Sequence, residues 1–261
     1  MSLFISPPFG NYINLPNSIS IKGSFTLHPR KGLFMQILKT LRYDFDNNCW
    51  RNKIGLRNAG IDFAISKYYI QKNKEEDQNN NMKSIISIAI LNKNEINQLN
   101  DIVPRDCNIE LNVSCPNVDD EKDIDYKSIV YKELGIFYDK QRKWCIVKLS
   151  PLDTIKQVDV LYDQGFRQFH CSNTLPKEDG SGGLSGRVLK PYTSKLVNTI
   201  KNKYPNTEII AGGGIRNYKD IESYKKDGAS HFSISTLLFN PFMFYVFYVD
   251  HSFRICKNRM K

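Results

Sequence analysis

The sequence predicts an α/β fold, a closed (β/α)8 TIM barrel in a single domain. Two observations carry that expectation. Short β-prone runs recur along the chain with amphipathic, helix-spaced stretches between many of them, an alternation that implies parallel strands joined by crossover helices. Several of those runs are apolar at consecutive positions, as strands covered on both faces must be. Eight such runs in a chain of 261 residues suit one closed barrel.

Taken in order, the predicted strands are 18–24 (SISIKGS), 34–40 (FMQILKT), 84–90 (SIISIAI), 108–114 (NIELNVS), 144–150 (WCIVKLS), 167–173 (RQFHCSN), 207–214 (TEIIAGGG) and 230–236 (SHFSIST). Helical spacing marks 94–103, 153–165, 191–204 and 217–228, two of which end at a glycine. Between the first two runs lies only FTLHPRKGL, whose Pro29 and Gly32 discourage a helix, so the first crossover helix is expected to be missing. The polar, low-complexity stretch 70–83 reads as a solvated, flexible loop. The barrel core is expected over about 18–240 and an aromatic and basic C-terminal tail over 241–261, within one domain covering 1–261. The tail's FMFYVFYV is too short to span a bilayer and reads as a docked aromatic segment.

Composition narrows the class. Hydrophobic residues make up 41% and charged residues 25%, ordinary for a soluble globular protein. The net charge of +10 favours anionic ligands, but the lysines are scattered among Asn, Asp and Glu as on a solvated surface, so nucleic acid is not the expected partner. None of the six cysteines forms a CxxC pair or sits at zinc spacing, which points to a reducing, cytoplasmic setting with no metal. The N-terminus has no basic flank followed by an apolar stretch, so no membrane anchor is expected.

In a barrel of this kind chemistry gathers at the C-terminal strand ends. Those ends carry Lys39 and Thr40, then Asn112 to Cys115, Lys148, Ser172 to Thr174, Gly212 to Gly214, and Ser235 with Thr236. Two adjacent Gly-rich loops, 180–191 and 212–214, precede helices and suit a phosphate group, because backbone N–H groups at a helix start attract anions that glycine lets approach.

The motifs WRNKIGLRNAGI, ELNVSCPN, VKLSP, SNT, GGLSGRVLKP and AGGGI, which follow one another in this order along the chain, resemble the dihydroorotate dehydrogenase family of FMN barrels from about residue 18 to about 240. The resemblance implies FMN as cofactor and oxidation of dihydroorotate to orotate in pyrimidine synthesis. It implies that Asn52, Asn112, Asn117 and Asn173 grip the substrate, with Thr174 beside the last. Cys115 matches the catalytic base of the soluble, class 1 branch. Lys39 matches the family's active-site lysine near flavin and substrate. Lys148 matches the lysine that stabilises charge at the flavin N1–C2 carbonyl. Gly23, Ser24 and Asn112 would lie at the flavin, and the phosphate would rest on Gly186, Gly213, Gly214, Ser235 and Thr236. The chain departs from the family in its short length, in the missing first helix, in Ser235 where glycine is usual, and in LPKEDGS, which is too short for the family's hairpin after the sixth strand.

Fumarate is the expected electron acceptor, with an iron–sulfur partner subunit and NAD as the alternative, and a homodimer is one assembly the family allows. Two other functions compete. A dihydrouridine synthase-like barrel would also place a cysteine before proline and would suit a basic chain, but it lacks the Asn-x-Ser-Cys-Pro-Asn pattern. A non-catalytic barrel that only binds flavin or orotate fits the missing helix, but not the retained Cys115 and four amides.

Overall fold

The computed structural model describes residues 1–70, 84–113, 124–177 and 179–259. Its strands, in chain order, are β1 (Leu3–Ile5), β2 (Ser18–Phe25), β3 (Arg42–Asp44), β4 (Cys49–Asn52), β5 (Ile85–Ala89), β6 (Ile109–Asn112), β7 (Cys145–Leu149), β8 (Gln168–Cys171), β9 (Leu175–Pro176), β10 (Gly183–Gly186), β11 (Glu208–Gly212) and β12 (His231–Ile234). Eight of them close a barrel in the order β1-β12-β11-β8-β7-β6-β5-β2, with parallel pairing throughout. The other four form a second, antiparallel sheet, β3-β4-β10-β9. The expected barrel is present, and the four predicted helical stretches hold the helices Ile96–Ile102, Ile155–Asp163, Lys190–Lys203 and Tyr218–Lys226.

One predicted strand is wrong. Residues 34–40 lie in a helix, Leu33–Thr40, outside the barrel. Leu, Met, Gln and Lys are good helix formers, and an apolar run this short reads equally well as strand or helix. The missing barrel strand is β1, well before the predicted core start at residue 18. It is only three residues long and is followed, after Ser6, by Pro7 and Pro8, so it leaves no period to detect. Both its edges are paired: Phe4 lies opposite Ile19 on one side and Ser233 on the other.

The helix-free first crossover therefore exists, one strand earlier than expected. Residues 6–17 join β1 to β2 with a single 3-10 turn, Phe9–Asn11, and no α-helix. This loop covers the strands by hydrogen bonding. Asn11 accepts from the Gly23 N–H at 2.7 Å and donates to its carbonyl at 3.1 Å. The buried Lys22 donates to the Gly10 carbonyl and, at 3.0 Å, to Asn14 Oδ1, and Ser20 donates to the Ile13 carbonyl. The approach is so close that a Cβ on Gly10 would fall 2.1 Å from the Ile21 carbonyl oxygen. A side chain there would force the loop off the strand.

Inside the barrel Phe4, Ile19, Ile21, Ile85, Trp144, Ile146 and Ile210 form an apolar plug, where Phe4 meets Trp144 edge-on with ring centroids 5.2 Å apart. The larger core lies between the strands and the surrounding helices. The C-terminal tail is the helix Pro241–Arg259, which buries Phe247 and His251. The predicted loop 70–83 falls, apart from Ile70, outside the described residues. No helix of the described residues is long and apolar enough to cross a membrane.

Phe4 is fully buried and sits in both the plug and the closing strand. Phe4→Ala is expected to lower the unfolding free energy by about 3–5 kcal/mol, read from urea denaturation. A loss under about 1 kcal/mol would show that the plug collapses around the gap.

Candidate active site

Side chains alternate along a strand, so every second residue of each barrel strand faces the interior. On β6 these are Glu110 and Asn112; on β7, Ile146 and Lys148; on β8, His170, followed by Ser172; on β11, Ile210 and Gly212. The lower positions feed the apolar plug and the upper ones are polar. Two layers of chemistry result.

The deeper layer is a buried charged cluster. Glu110 accepts from Ser87 Oγ at 2.8 Å through Oε1, its Oε2 lies 2.6 Å from His170 Nδ1, and Lys148 Nζ is 3.7 Å from Oε1. Burial by itself would raise the Glu110 carboxyl, but Lys148, His170 and Ser87 outweigh it and hold its pKa at about 2. Burial pushes His170 below its ordinary value, and that exceeds the opposing pull of Glu110. The cluster is thus an ionised carboxylate, a lysine and a neutral imidazole whose Nδ1–H points at the carboxylate.

The upper layer holds the amides. Asn173 Nδ2 donates to Asn112 Oδ1 at 2.9 Å, and Asn112 Nδ2 donates to Ser24 Oγ at 3.0 Å. Ser24 in turn bonds Ser87 at 2.8 Å, which links this layer to the one below. Thr174 has its N–H on Asn173 Oδ1, while its Oγ1 is buried with no hydrogen-bond partner. Buried hydroxyls are rarely left unpaired, so this one fits a bound ligand.

A cavity runs from these residues to the glycine loops. Lys148, His170, Ser172, Asn173 and Thr174 line one end, and Gly186, Gly213, Gly214, Ser235 and Thr236 the other. Gly213 and Gly214 have φ of +94° and +74°, and a Cβ on either would come within 3 Å of Leu189 or of Lys190 and Arg187. Backbone alone fits there, and backbone N–H groups suit an anion. Ser235 does not crowd this end with its hydroxyl, which is turned onto the Pro7 carbonyl at 3.1 Å. The residues present therefore fit a ligand with a planar polar head and a phosphate tail.

The structure gathers most of the predicted site: Ser24, Asn112, Lys148, Asn173, Thr174, Gly186, Gly213, Gly214, Ser235 and Thr236. Gly23 sits beside Ser24 on β2. Asn52 ends β4 and pairs with Gly183 in the second sheet. Lys39 is not part of the cluster; it is exposed in the last turn of Leu33–Thr40 and does not line the cavity. Its assignment rested on the family resemblance and on its place at the end of a predicted strand that is a helix. Cys115 and Asn117 lie outside the described residues. The segment 175–186 is more than a short connection, since β9 and β10 form a hairpin there. Glu110 and His170 were missed by sequence reasoning. The signal was available: each stands two residues before a polar rim residue, and so on the same inward face of its strand.

Comparison with known proteins agrees with this geometry. The dihydroorotate dehydrogenase family model matches residues 11–247. The chain belongs to that family. The catalytic subunit of dihydroorotate dehydrogenase B (NAD(+)) from Bacteroides thetaiotaomicron is 30% identical over 256 residues, covering 88% of this chain and 79% of that one. Dihydroorotate dehydrogenase (fumarate) from Saccharomyces mikatae is 27% identical over 210 residues, covering 72% and 66%. The chain thus spans 66% of the length of the Saccharomyces relative, as it does of its Streptococcus agalactiae relatives. The crystal structure of DHODH with ferulenol from Eimeria tenella superposes with a TM-score of 0.72 at 18% identity, over 92% of this chain and 76% of that one, which supports the barrel fold.

The buried cluster makes stability sensitive to acid. Glu110 drops from an ordinary 4.5 to about 2, and His170 lies below its ordinary 6.5, so at acid pH the unfolded chain binds more protons than the native one. Stability is therefore full above about pH 6.5. It falls as pH is lowered, most steeply between about 4.5 and 2. Glu110→Gln should flatten the lower part of that profile in urea midpoints measured against pH. An unchanged slope below pH 4.5 would refute the assignment.

Proposed function

We propose that this chain oxidises dihydroorotate to orotate with FMN as cofactor, in the cytoplasm. The observation that carries the reading is a cavity lined by Lys148 and by Asn173, itself hydrogen-bonded to Asn112, and continuing to the glycine cradle. Carboxamides both donate and accept, so they can read the edges of a pyrimidine and hold its ring in one orientation. The unpaired Thr174 hydroxyl adds another polar contact at that end. Lys148 would favour negative charge on the flavin pyrimidine, and Gly186, Gly213, Gly214 and Thr236 would hold the phosphate.

FMN, when bound, supplies the acceptor for a hydride from C6 of the substrate. The protein's part is to hold the ring and remove the C5 proton. Cys115, as thiolate, would take that proton, becoming a thiol, while the electron pair of the C5–H bond forms the new C5–C6 double bond. A thiolate is a competent base near neutral pH where positive charge favours it. Asn52 and Asn117 would complete the grip on the substrate.

Fumarate is the proposed oxidant of the reduced cofactor, as the name of the Saccharomyces relative suggests. The Bacteroides relative, a catalytic subunit named for NAD(+), favours a second reading in which a partner subunit carries electrons to NAD.

The test is anaerobic. Protein loaded with FMN is mixed with dihydroorotate, and bleaching of the flavin absorption is followed. Full bleaching is expected, with Cys115→Ala slowed by at least about 100-fold, as for loss of a general base. Flavin that binds but stays oxidised would overturn the substrate assignment. A protein that takes up no FMN would overturn the cofactor assignment.

The two lysines should part in the same assay. Lys39→Ala is expected to leave FMN affinity within about twofold, as for a surface change. Lys148→Ala should weaken it by tenfold or more, since it removes a cavity contact and leaves Glu110 with less compensation. Equal losses would restore Lys39 to the site.

A further inference from the structure

Resting on the FMN reading above, we infer that His170 is a cofactor-binding residue whose Nε2 accepts a hydrogen bond from a hydroxyl of the flavin's ribityl chain, with Glu110 as the group that fixes it in the accepting form. The argument begins with strand order. The amide pair and Lys148 lie at the ends of β6, β7 and β8, whereas the glycine cradle follows β10 and β11. Barrel neighbours run β6-β7-β8-β11-β12, so a ligand with its ring at the amides and its phosphate at the cradle must pass over the β8–β11 boundary. The inward residues there are His170 and Gly212.

Gly212 has no side chain to cover its neighbour. A Cβ on it would fall 3.0 Å from His170 Nε2, so glycine leaves that nitrogen open, and His170 lines the cavity. The other ring nitrogen is taken: Nδ1 lies 2.6 Å from the Glu110 carboxylate. A carboxylate only accepts, so Nδ1 must carry the hydrogen, and in the neutral ring Nε2 is then a bare acceptor. The charged groups facing this ring are Glu110 from β6 and Lys148 from β7. Neighbouring polar groups are engaged elsewhere: Ser172 with Thr193 at 3.0 Å, and Ser233 with Ser6 at 2.5 Å. Lys148 can only donate. A polyol laid across this floor meets a donor at Lys148 and an acceptor at His170, which suits hydroxyls that need both.

The experiment is a cycle of two proteins and two ligands, with affinity read from flavin fluorescence. The ligands are FMN and a flavin carrying a 5-phosphopentyl chain, which keeps ring and phosphate but has no chain hydroxyls. Wild type should bind FMN at least about tenfold more tightly than the phosphopentyl flavin. His170→Val should lose most of that preference by weakening FMN alone, and His170→Gln, which keeps an acceptor, should recover part of it. Nitrogen NMR on the histidine ring should show an Nδ1–H tautomer in the free protein and a shift at Nε2 on adding FMN. Equal binding of the two ligands by wild type would overturn the inference, as would an equal loss for both in His170→Val. The ligand comparison on wild type decides even if His170→Val does not fold. If wild type binds neither flavin, the cofactor reading itself falls and this inference with it. If it binds both alike, only the role of His170 falls.

Discussion

Closure of the barrel depends on three residues. Leu3, Phe4 and Ile5 are hydrogen-bonded to β12 on one side and β2 on the other, so without them the sheet has two free edges. Exposed strand edges invite mispairing, and closure is the device that removes them. The same strand also drops Phe4 into the plug and places Leu3 and Ile5 in the outer core. No helix follows it to cover the outer face. The loop 6–17 does so by offering the Asn11 amide and the Gly10 carbonyl to β2, whose buried Lys22 reaches back to that carbonyl, a solution that works only because Gly10 lets backbone meet backbone.

Above the plug the barrel interior changes character within one turn of the strand pleat. A carboxylate, a lysine and a histidine occupy space that elsewhere in the tube holds isoleucine and phenylalanine. Such a cluster costs desolvation and is stable only when its members satisfy each other. Here Glu110 is engaged by Ser87, His170 and Lys148 together, and Ser87 passes the connection upward through Ser24 to Asn112 and Asn173. The two amides are therefore positioned by a chain of bonds that starts deep in the barrel. That arrangement suits a site which must hold a planar molecule at fixed distance from a cofactor.

The fold was largely legible because β5 to β8, β11 and β12 are short β-prone runs, several of them mostly apolar, separated in many places by stretches with clear amphipathic period. The glycine cradle, Asn112, Asn173 and Lys148 were legible for a related reason: they follow those runs directly. What failed was local. Leu33–Thr40 is a single short helix with no buried residue, so its apolar content mimicked a strand, and Lys39 was carried into the site with it. β1 was too short to have a period at all. Glu110 and His170 were hidden by their setting, since a charged residue inside an apolar strand looks like an interruption until its inward direction is known.

The second sheet ties together two connections far apart in the chain. β4 belongs to the link between β2 and β5, and β10 to the link between β8 and β11, yet the two pair from Cys49–Gly186 to Asn52–Gly183. Trp50 then stacks on Phe239 at 4.3 Å, which fastens the same sheet to the turn after β12. One end of the β4–β10 ladder carries a cradle glycine and the other an asparagine. The ladder therefore carries a restraint from a glycine that lines the cavity to a residue of a distant connection, so the position of one is set by the other.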